Sequence, residues 1–520
     1  MKNGNNSSAK SVKTVAVMMF ATVIAKLLGM LRSTLQAGAY GATAEANAFT
    51  AASKLPLTFF DLLLAAAVLG CFIPAYNSFS GNKDKDSPEK SAKEADDFAA
   101  AFLTFIIAAC GILAVAGMLF AKPMLTLIAP NLDEASLSLA VTLTRIMFPL
   151  VIFTGSAYTL VGVLQSKGSF IAPAMISAIS NAGVVAYLIF FNGMLGERGI
   201  YGLAFAYMLS WLVQLLTLVV PLKRAGFVFR LRFDIKNPAL IRALKTAPPI
   251  MIGSWLAPAG TLLGQYFAAR CGVTGATTDF DLANNVYIII AGTLTYSICN
   301  YTFPKISKLS AEGDSEEFAK TVRGGLTSAL LIVIPIMSAA FVLAGEGVSA
   351  LYLRGKFTPE DAANTTAALL PILAAMPFFG VTELFSRTFY SKGEVRLPML
   401  AALIGIACNA LCGAVLVNLG FFGISAVGIA NAAGQIASAV FLFVSAAKRI
   451  PGLIDRKFLA EIVKLIFGGV LVFAVCAVMK AVIGSDPFVS SFFTNVVKAI
   501  VIFLPSAAVY VVYAKVVKLF

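Results

Sequence analysis

The sequence predicts an all-α integral membrane protein with about 14 spanning helices. Its 520 residues are 59% hydrophobic and only 13% charged, and their mean hydropathy is +0.87. These values exclude a soluble multidomain protein. Since a spanning helix needs about 20 apolar residues, the length is taken up by spans and short loops. Little room remains for a soluble catalytic domain.

Apolar runs locate the individual helices. In chain order they predict helices near 13–38, 45–79, 98–122, 136–164, 170–194, 200–223, 246–271, 280–305, 322–352, 361–389, 396–418, 423–447, 460–482 and 492–516. The polar segment 1–13 is expected to be a cytoplasmic tail, because the apolar stretch after it is too long for a signal peptide.

The net charge of +14 is explained mainly by topology. If the N-terminus is cytoplasmic, about 29 of the 40 Lys and Arg residues fall on the cytoplasmic side, as the positive-inside rule requires. We therefore predict that both termini are cytoplasmic and that the charge excess indicates no nucleic-acid partner. The mixed-charge segment 81–97 is expected to be a solvated cytoplasmic loop or surface helix.

The absence of histidine and the arrangement of the cysteines exclude several kinds of chemistry. The chain has no His, so histidine metal sites, Ser-His nucleophiles and histidine proton relays are absent. The seven Cys are an odd number without a CxxC pair, and they lie in or beside apolar stretches, which is typical of small core residues. We predict no metal and no cofactor, and leave open a dependence on membrane potential or a coupling ion.

Three short motifs recur at one common offset. Ser166-Lys167-Gly168 recurs as Ser391-Lys392-Gly393, Pro173 as Pro398, and Lys223-Arg224 as Lys448-Arg449. Together they indicate two homologous halves of about six helices each. Because six is even, the halves are expected to be parallel repeats about an axis along the membrane normal, enclosing a cavity that opens to alternate sides.

This repetition predicts three parts of the chain. Residues 1–240 form an N-lobe that includes the polar loop 80–97, residues 241–450 form a C-lobe, and residues 451–520 contain two appended helices.

Cations inside the spans are the most informative side chains, because each costs roughly 2.5–3.5 kcal/mol near mid-span. Lys26 and Arg32 lie on one polar side of the first helix, together with Ser33 and Gln36. On the second helix Asn47, Lys54 and Asp61 are spaced by seven and share a stripe.

This pattern predicts a cationic, water-filled cavity for an anionic group such as a phosphate. The alternative is that the charges snorkel, anchor loops or pair with one another, as Lys54 and Asp61 could do.

Four further charges admit two interpretations. Arg145 and Arg387 lie near span ends, where an anchoring or gating role is expected. Glu346 and Glu383 are candidates for proton or ion sites, with packing or interface roles equally open.

Several motifs resemble the MurJ/MviN family of lipid II flippases between about residue 15 and about residue 450. The motifs are Lys26-Leu-Leu-Gly29-Met-Leu-Arg32, Ala39-Tyr40-Gly41-Ala42, Ala48-Phe49, Lys54-Leu-Pro56, Phe72-Ile73-Pro74, Leu143-Thr144-Arg145-Ile146-Met147-Phe148-Pro149, Arg354-Gly355-Lys356-Phe357, Arg387-Thr388-Phe389-Tyr390 and Pro398.

The resemblance implies the multidrug/oligosaccharidyl-lipid/polysaccharide exporter fold, with two six-helix lobes in a V and a lipid-tail groove formed by the last two helices. It also implies that the protein moves undecaprenyl-diphosphate-linked peptidoglycan precursor across the bacterial cytoplasmic membrane by alternating access, without covalent chemistry.

Carried over residue by residue, the family pattern assigns the headgroup diphosphate to Lys26, Arg32 and Lys54, which match family cations. Elsewhere this chain differs from the family. Ser33 and Asn47 stand where relatives carry acids, Phe60 and Asp61 where many have two arginines, and Asn285 where they have a helix-8 arginine. With Gln36, these polar residues are expected to line the cavity secondarily.

The expected partners are a lipid-linked glycan precursor, membrane lipids and cell-wall synthesis proteins. A flippase for a capsule or teichoic-type precursor remains open, as does a drug/cation antiporter using Asp61 and Glu383. A membrane glycosyl- or acyltransferase would need a catalytic base and a sizeable polar loop, whereas the chain has no His and only short external loops. A scaffold that recruits cell-wall enzymes through segment 81–97 is a further alternative.

Overall fold

The computed structural model describes residues 2–65, 68–81, 88–234, 236–312, 314–420, 422–484 and 486–519. Within these ranges every regular element is a helix and no strand occurs. The all-α class is therefore confirmed for the described part of the chain.

Most α-helices overlap the predicted positions, although α4 begins earlier and α5 lies between two of them. They are α1 (Lys2–Tyr40), α2 (Ala44–Phe60), α3 (Ile73–Gly81), α4 (Pro88–Leu119), α5 (Ala121–Ile128), α6 (Glu134–Met147), α7 (Leu150–Ser166), α8 (Ile171–Phe190), α9 (Asn192–Leu195), α10 (Gly199–Thr217), α11 (Val219–Arg224), α12 (Pro238–Ser254), α13 (Leu256–Arg270), α14 (Ala276–Tyr287), α15 (Thr293–Glu312), α16 (Ser315–Val342), α17 (Ala344–Tyr352), α18 (Pro359–Ala374), α19 (Met376–Ser391), α20 (Arg396–Asn418), α21 (Ser425–Arg449), α22 (Arg456–Ile483) and α23 (Phe492–Val516). Three π-helical turns, Asp61–Ala65, Val68–Phe72 and Ile288–Gly292, interrupt this series.

Eleven helical stretches of the described residues are long and apolar enough to cross a membrane, or twelve if the bent pair α18 and α19 forms one span. Helix α1 and the pair α12 and α13 occupy the other two predicted positions. The membrane class is confirmed, and the number of about 14 spans stays a prediction. Helix α1 also begins earlier than expected, at Lys2.

Several spans that are continuous apolar runs in the sequence are broken in the structure. Pro149 separates α6 from α7, and α18 and α19 meet at an angle of 46° beside Pro377. Proline lacks the N–H that would continue the helical ladder. Pro56 lies in α2 shortly before two π-helical turns, where the Leu62 carbonyl accepts a hydrogen bond of 2.8 Å from the Trp255 indole. Hydropathy alone does not detect such breaks.

Helix starts are fixed by side-chain caps. Asp314, Ser491 and Asp455 each accept a hydrogen bond from the backbone N–H of the third residue that follows, and Thr358 forms a reciprocal capping box with Asp361. The backbone N–H of Phe458 and the nearby Arg323 hold the pKa of Asp455 below its usual range.

The chain divides into two compact units. The first contains Met1–Gln36 and Ala48–Pro258, and the second contains Ala37–Asn47 and Ala259–Phe520. The last turn of α1 and the segment after it thus belong to the second unit. The predicted three-part division at 240 and 450 stays a prediction.

The two Ser-Lys-Gly motifs end their helices in the same way. Gly168 and Gly393 have positive φ angles of 78° and 74°. In each case the residue after the glycine, Ser169 or Glu394, donates its N–H to the carbonyl five residues earlier, at 2.8 and 3.0 Å. The sequence repeat therefore corresponds to a repeated helix-ending turn, one in each unit.

Glycines allow helices of the second unit to pack closely. A Cβ added at Gly434 on α21 would lie 2.6 Å from the Gly405 carbonyl oxygen on α20. At Gly428 a Cβ would lie 2.4 Å from the Ala368 carbonyl oxygen on α18. Small residues at such positions are the usual basis of helix association in lipid.

We expect Gly428→Ala to lower the thermal stability of the purified protein, at a cost of about 1–3 kcal/mol, because the added methyl group meets backbone that cannot move aside. Gly111→Ala on α4 is the matched control, since nothing lies within 4 Å of its Cβ position. It should leave the melting temperature unchanged or raise it. Equal melting temperatures for the two variants would contradict the packing argument.

Candidate functional site

Arg32 is held in a fixed position in the first unit. Its Nη1 donates a hydrogen bond of 3.0 Å to the Asn181 side-chain oxygen on α8, and its guanidinium carbon lies 5.4 Å from the centre of the Tyr207 ring on α10. Its Nε is buried and has no hydrogen-bond partner among the described residues. The cation is thus oriented by two neighbouring helices and retains a free donor.

Asn181 and Tyr207 connect this cation to the rest of α1. The Asn181 side-chain nitrogen donates to the Ala25 carbonyl at 3.2 Å, and the Tyr207 hydroxyl donates to the Gln36 side chain at 3.0 Å. A Cβ at Gly29 would lie 3.2 Å from the Asn181 nitrogen, so this glycine gives the amide room beside α1.

The sequence analysis missed both partners of Arg32. A signal existed for Asn181, which is the only amide or charged side chain in the apolar run 171–190. No comparable signal marks Tyr207, since an aromatic residue in an apolar helix is ordinary.

The other predicted diphosphate-binding residues also belong to the first unit. Lys26 is half-buried on α1, about 9 Å along the helix axis from Arg32. Lys54 is half-buried on α2, and Asp61 is exposed at the start of the first π-helical turn. Ser33 is buried, and its hydroxyl donates to the Gly29 carbonyl one turn earlier in α1, at 3.2 Å.

Two other predicted cavity residues belong to the second unit. The Asn47 side chain accepts hydrogen bonds from the backbone N–H and hydroxyl of Thr278, at 3.1 and 2.9 Å. The half-buried Asn285 donates to Asp281 at 3.3 Å. Asn47 therefore joins the segment after α1 to the start of α14.

Two of the sequence motifs meet in the second unit. The Lys356 N–H donates to the Gly38 carbonyl at 2.9 Å. Gly41 and Gly355 have φ angles of 62° and 60°, and their added Cβ atoms would lie 2.5 and 2.2 Å from the carbonyl oxygens of Lys356 and Gly38. Only glycine allows both the left-handed backbone and this close approach.

The remaining charged candidates are paired or anchored. Arg145 is exposed and donates to the Met118 carbonyl at 3.2 Å. Arg387 lies 3.7 Å from Glu383 and donates to Asn300 at 2.6 Å.

The carboxylate of Glu346 is buried and lies 2.9 Å from the Lys480 ammonium group. Such pairing is typical of structural charges.

An apolar cavity of about 530 Å³ lies in the second unit. Its walls come from α16, the α18–α19 pair and α22, and the lining residues are Leu330, Ile334, Met337, Ser338, Ala374, Pro377, Phe378, Val381, Ile462, Ile466, Gly469, Val470 and Phe473. A space with this lining suits a hydrocarbon chain.

No described cluster resembles a metal site or a disulfide. Among the residues that the structure describes, no group of three or more His, Cys, Asp or Glu side chains is arranged to hold a metal ion. All seven cysteines are free, and Cys71, Cys110, Cys299 and Cys476 are buried, as expected of core residues.

The fold is that of membrane transporters. One solved structure, described as lipid II flippase MurJ in an inward closed conformation, has a TM-score of 0.77 at 18% identity and covers 96% of this chain and 100% of its own. A multidrug resistance MATE family transporter of the MOP superfamily, in an inward-facing conformation, has a TM-score of 0.69 at 15% identity and covers 84% and 98%.

The chain belongs to the lipid II flippase MurJ family, whose sequence profile matches residues 36–500. Among its relatives, a probable lipid II flippase MurJ of Bdellovibrio bacteriovorus is 26% identical over 463 residues, which is 88% of this chain and 86% of the relative. Lipid II flippase MurJ of Burkholderia cenocepacia is 25% identical over 434 residues, with 82% of each chain covered. The family membership expected from the sequence motifs is confirmed.

We expect Gly355→Ala to disrupt the contact between Gly38 and Lys356, because the methyl group would overlap the Gly38 carbonyl. Amide hydrogen exchange across residues 352–358 should become faster. Gly168→Ala is the control, since it imposes the same left-handed strain where nothing lies within 4 Å. Its effect on exchange should stay within its own turn, and unchanged exchange in Gly355→Ala would rule out the close approach.

Proposed function

We propose that this protein is a flippase that moves lipid II, the undecaprenyl-diphosphate-linked peptidoglycan precursor, across the bacterial cytoplasmic membrane for cell-wall synthesis. The observation that carries the proposal, beyond family membership, is Arg32, a cation on α1 that two neighbouring helices hold in one orientation. The proposed process is alternating access by two lobes, without covalent chemistry.

Arg32 has the chemistry required for a diphosphate. Asn181 occupies one guanidinium nitrogen, and the Nε is buried without a partner among the described residues. Arginine binds phosphate oxygens through paired N–H groups, and each hydrogen bond to a charged group contributes about 1.5–3 kcal/mol. Lys26 and Lys54 would add positive charge without fixed geometry.

The apolar cavity supports a place for the polyprenyl tail. Its lining is almost entirely hydrocarbon, and α22, one of the two last helices, forms one wall. A hydrocarbon tail there would lie against apolar side chains while the headgroup reaches polar residues. Because lipid also accepts hydrocarbon, the cavity would guide the tail rather than supply most of the binding energy.

Orientation and energy source are also part of the proposal. The positive-inside distribution of Lys and Arg supports cytoplasmic termini. No cofactor is invoked. A membrane potential could drive the cycle, since each charge moved across 100 mV is worth about 2.3 kcal/mol, and a coupling ion is the alternative source. Cell-wall synthesis proteins are the proposed macromolecular partners.

A flippase for another lipid-linked glycan is the second candidate. The observation that favours it is Asn285, which stands at the position of a family arginine and is hydrogen-bonded to Asp281. A drug/cation antiporter is less well supported, since Glu383 and Glu346 are paired with Arg387 and Lys480 and Asp61 is exposed.

We expect Arg32→Ala to abolish function while the protein remains in the membrane at normal abundance. Asn181→Ala should reduce function more mildly, because the cation survives but loses its orientation. The double variant should be no worse than Arg32→Ala alone, since the two residues act as a unit.

The measurement is made in cells depleted of their own flippase and carrying each variant. An externally added enzyme that cleaves lipid II reports how much precursor has reached the outer leaflet. A fully active Arg32→Ala variant at normal abundance would refute the cationic site. The second candidate would be favoured if depletion left lipid II accessible but blocked another surface glycan.

We expect Val470→Trp to slow lipid II export several-fold, because the indole would fill the apolar cavity that Val470 lines. Val478→Trp is the matched control on the same helix, since Val478 is 63% exposed, close to the 59% of Val470, and is not a lining residue. The same cleavage assay compares them. Equal export by both variants would mean that the cavity is not part of the transport path.

A further inference from the structure

We propose that residues 227–234, called the strap below, bind anionic phospholipid headgroups at the membrane surface beside the first unit. The strap lies between α11 and α12 and contains no regular secondary structure. The candidate span Asn192–Arg224 ends three residues before it, so the strap begins at a membrane boundary. This inference concerns the surrounding lipid and is independent of the transported substrate.

The strap is attached to the protein at two points. At its start Phe227 is buried, and the Lys167 ammonium group lies 5.9 Å from the centre of its ring. Near its end the Arg232 N–H donates to the Thr104 hydroxyl at 2.8 Å, and the Arg232 guanidinium lies 2.6 Å from Asp97. Both attachments fix the backbone between them.

Between and beyond these attachments the strap exposes large apolar side chains. Val228, Phe229, Leu231 and Phe233 are 59%, 57%, 58% and 81% exposed. Isolated exposed apolar residues are common, but four within six positions on a fixed backbone form a patch that water does not favour. The patch therefore needs an apolar environment.

Basic side chains surround the patch. Arg230 lies within it, Lys223 and Arg224 precede it, and Lys236 follows it, all exposed. Of the acids close by in the described part of the chain, Asp97 and Asp234 are engaged by Arg232, and Asp96 is paired with Lys167. The positive-inside rule accounts for the cations at this boundary, but it does not account for the exposed phenylalanines among them. Apolar and basic residues in combination are the pattern that binds an anionic lipid surface.

The position of the strap favours a bilayer leaflet, rather than another protein, as its binding partner. The strap follows directly from a candidate span, so the leaflet lies at its start without any rearrangement. Under the proposed orientation this leaflet is the cytoplasmic one. Phospholipid phosphates would contact the cations while the aromatic rings enter the region between headgroups and acyl chains.

The test uses the full chain carrying Phe233→Trp, reconstituted into vesicles of phosphatidylglycerol or of phosphatidylcholine. A fraction of the lipid is brominated near the headgroup to quench nearby indoles. Trp211 and Trp255 are native, so the signal of the unsubstituted protein is subtracted. We expect quenching of the introduced indole at a several-fold lower mole fraction of brominated phosphatidylglycerol than of brominated phosphatidylcholine.

Charge dependence is tested by adding Arg230→Gln and Lys236→Gln. Each cation near an anionic surface contributes up to about a fivefold preference, so losing two of the four should markedly reduce the difference between the lipids. The control variant carries Lys122→Gln and Lys457→Gln, which remove the same charge from exposed positions elsewhere. It should keep the difference in quenching between the two lipids.

Three results would overturn the proposal. Absence of quenching in both lipids would mean that the strap stays in water or binds protein. Equal quenching by both lipids would mean insertion without anionic recognition. Competition by a polyprenyl diphosphate at mole fractions far below those of phosphatidylglycerol would assign the strap to the transported substrate. Because no transport is measured, none of these results bears on the proposed flippase activity.

Discussion

Every backbone N–H and C=O that enters hydrocarbon must find its hydrogen-bond partner inside the protein, and this constraint determines most of what the chain does. It explains why all regular elements of the described residues are helices. It also explains how irregularities are tolerated. Where the π-helical turn after α2 departs from the regular ladder, the Trp255 indole donates to the Leu62 carbonyl. Asn181 supplies a similar bond to Ala25 on α1.

The same constraint gives side-chain amides and aromatic hydroxyls a second use. Asn181 and Tyr207 satisfy polar groups of α1 and also orient Arg32, so structural pairing and the positioning of the cation proposed to bind the diphosphate share the same atoms. A guanidinium supported in this way does not have to reorganise when an anion arrives, which lowers the cost of binding.

The sequence predicted the fold more completely than the site. Apolar runs locate helices because hydropathy depends only on composition along the chain, and the positions of α4 or α20 needed nothing more. The break at Ala375 and the π-helical turn at Ile288–Gly292 depend on neighbouring helices, so they were not predicted. Lys26, Arg32 and Lys54 were identifiable because charge is costly in lipid, whereas Tyr207 acquires its role only from the packing of α10 near α1. The hydrogen bonds of Asn47 to Thr278, which place Asn47 in the second unit, were likewise not predictable from a helical stripe.

The contact of Gly38 and Gly41 with Gly355 and Lys356 is made by backbone atoms alone. A junction of this kind depends on the absence of side chains at Gly41 and Gly355 rather than on the chemistry of any functional group. Homologous chains could then drift far apart in sequence around a few fixed glycines.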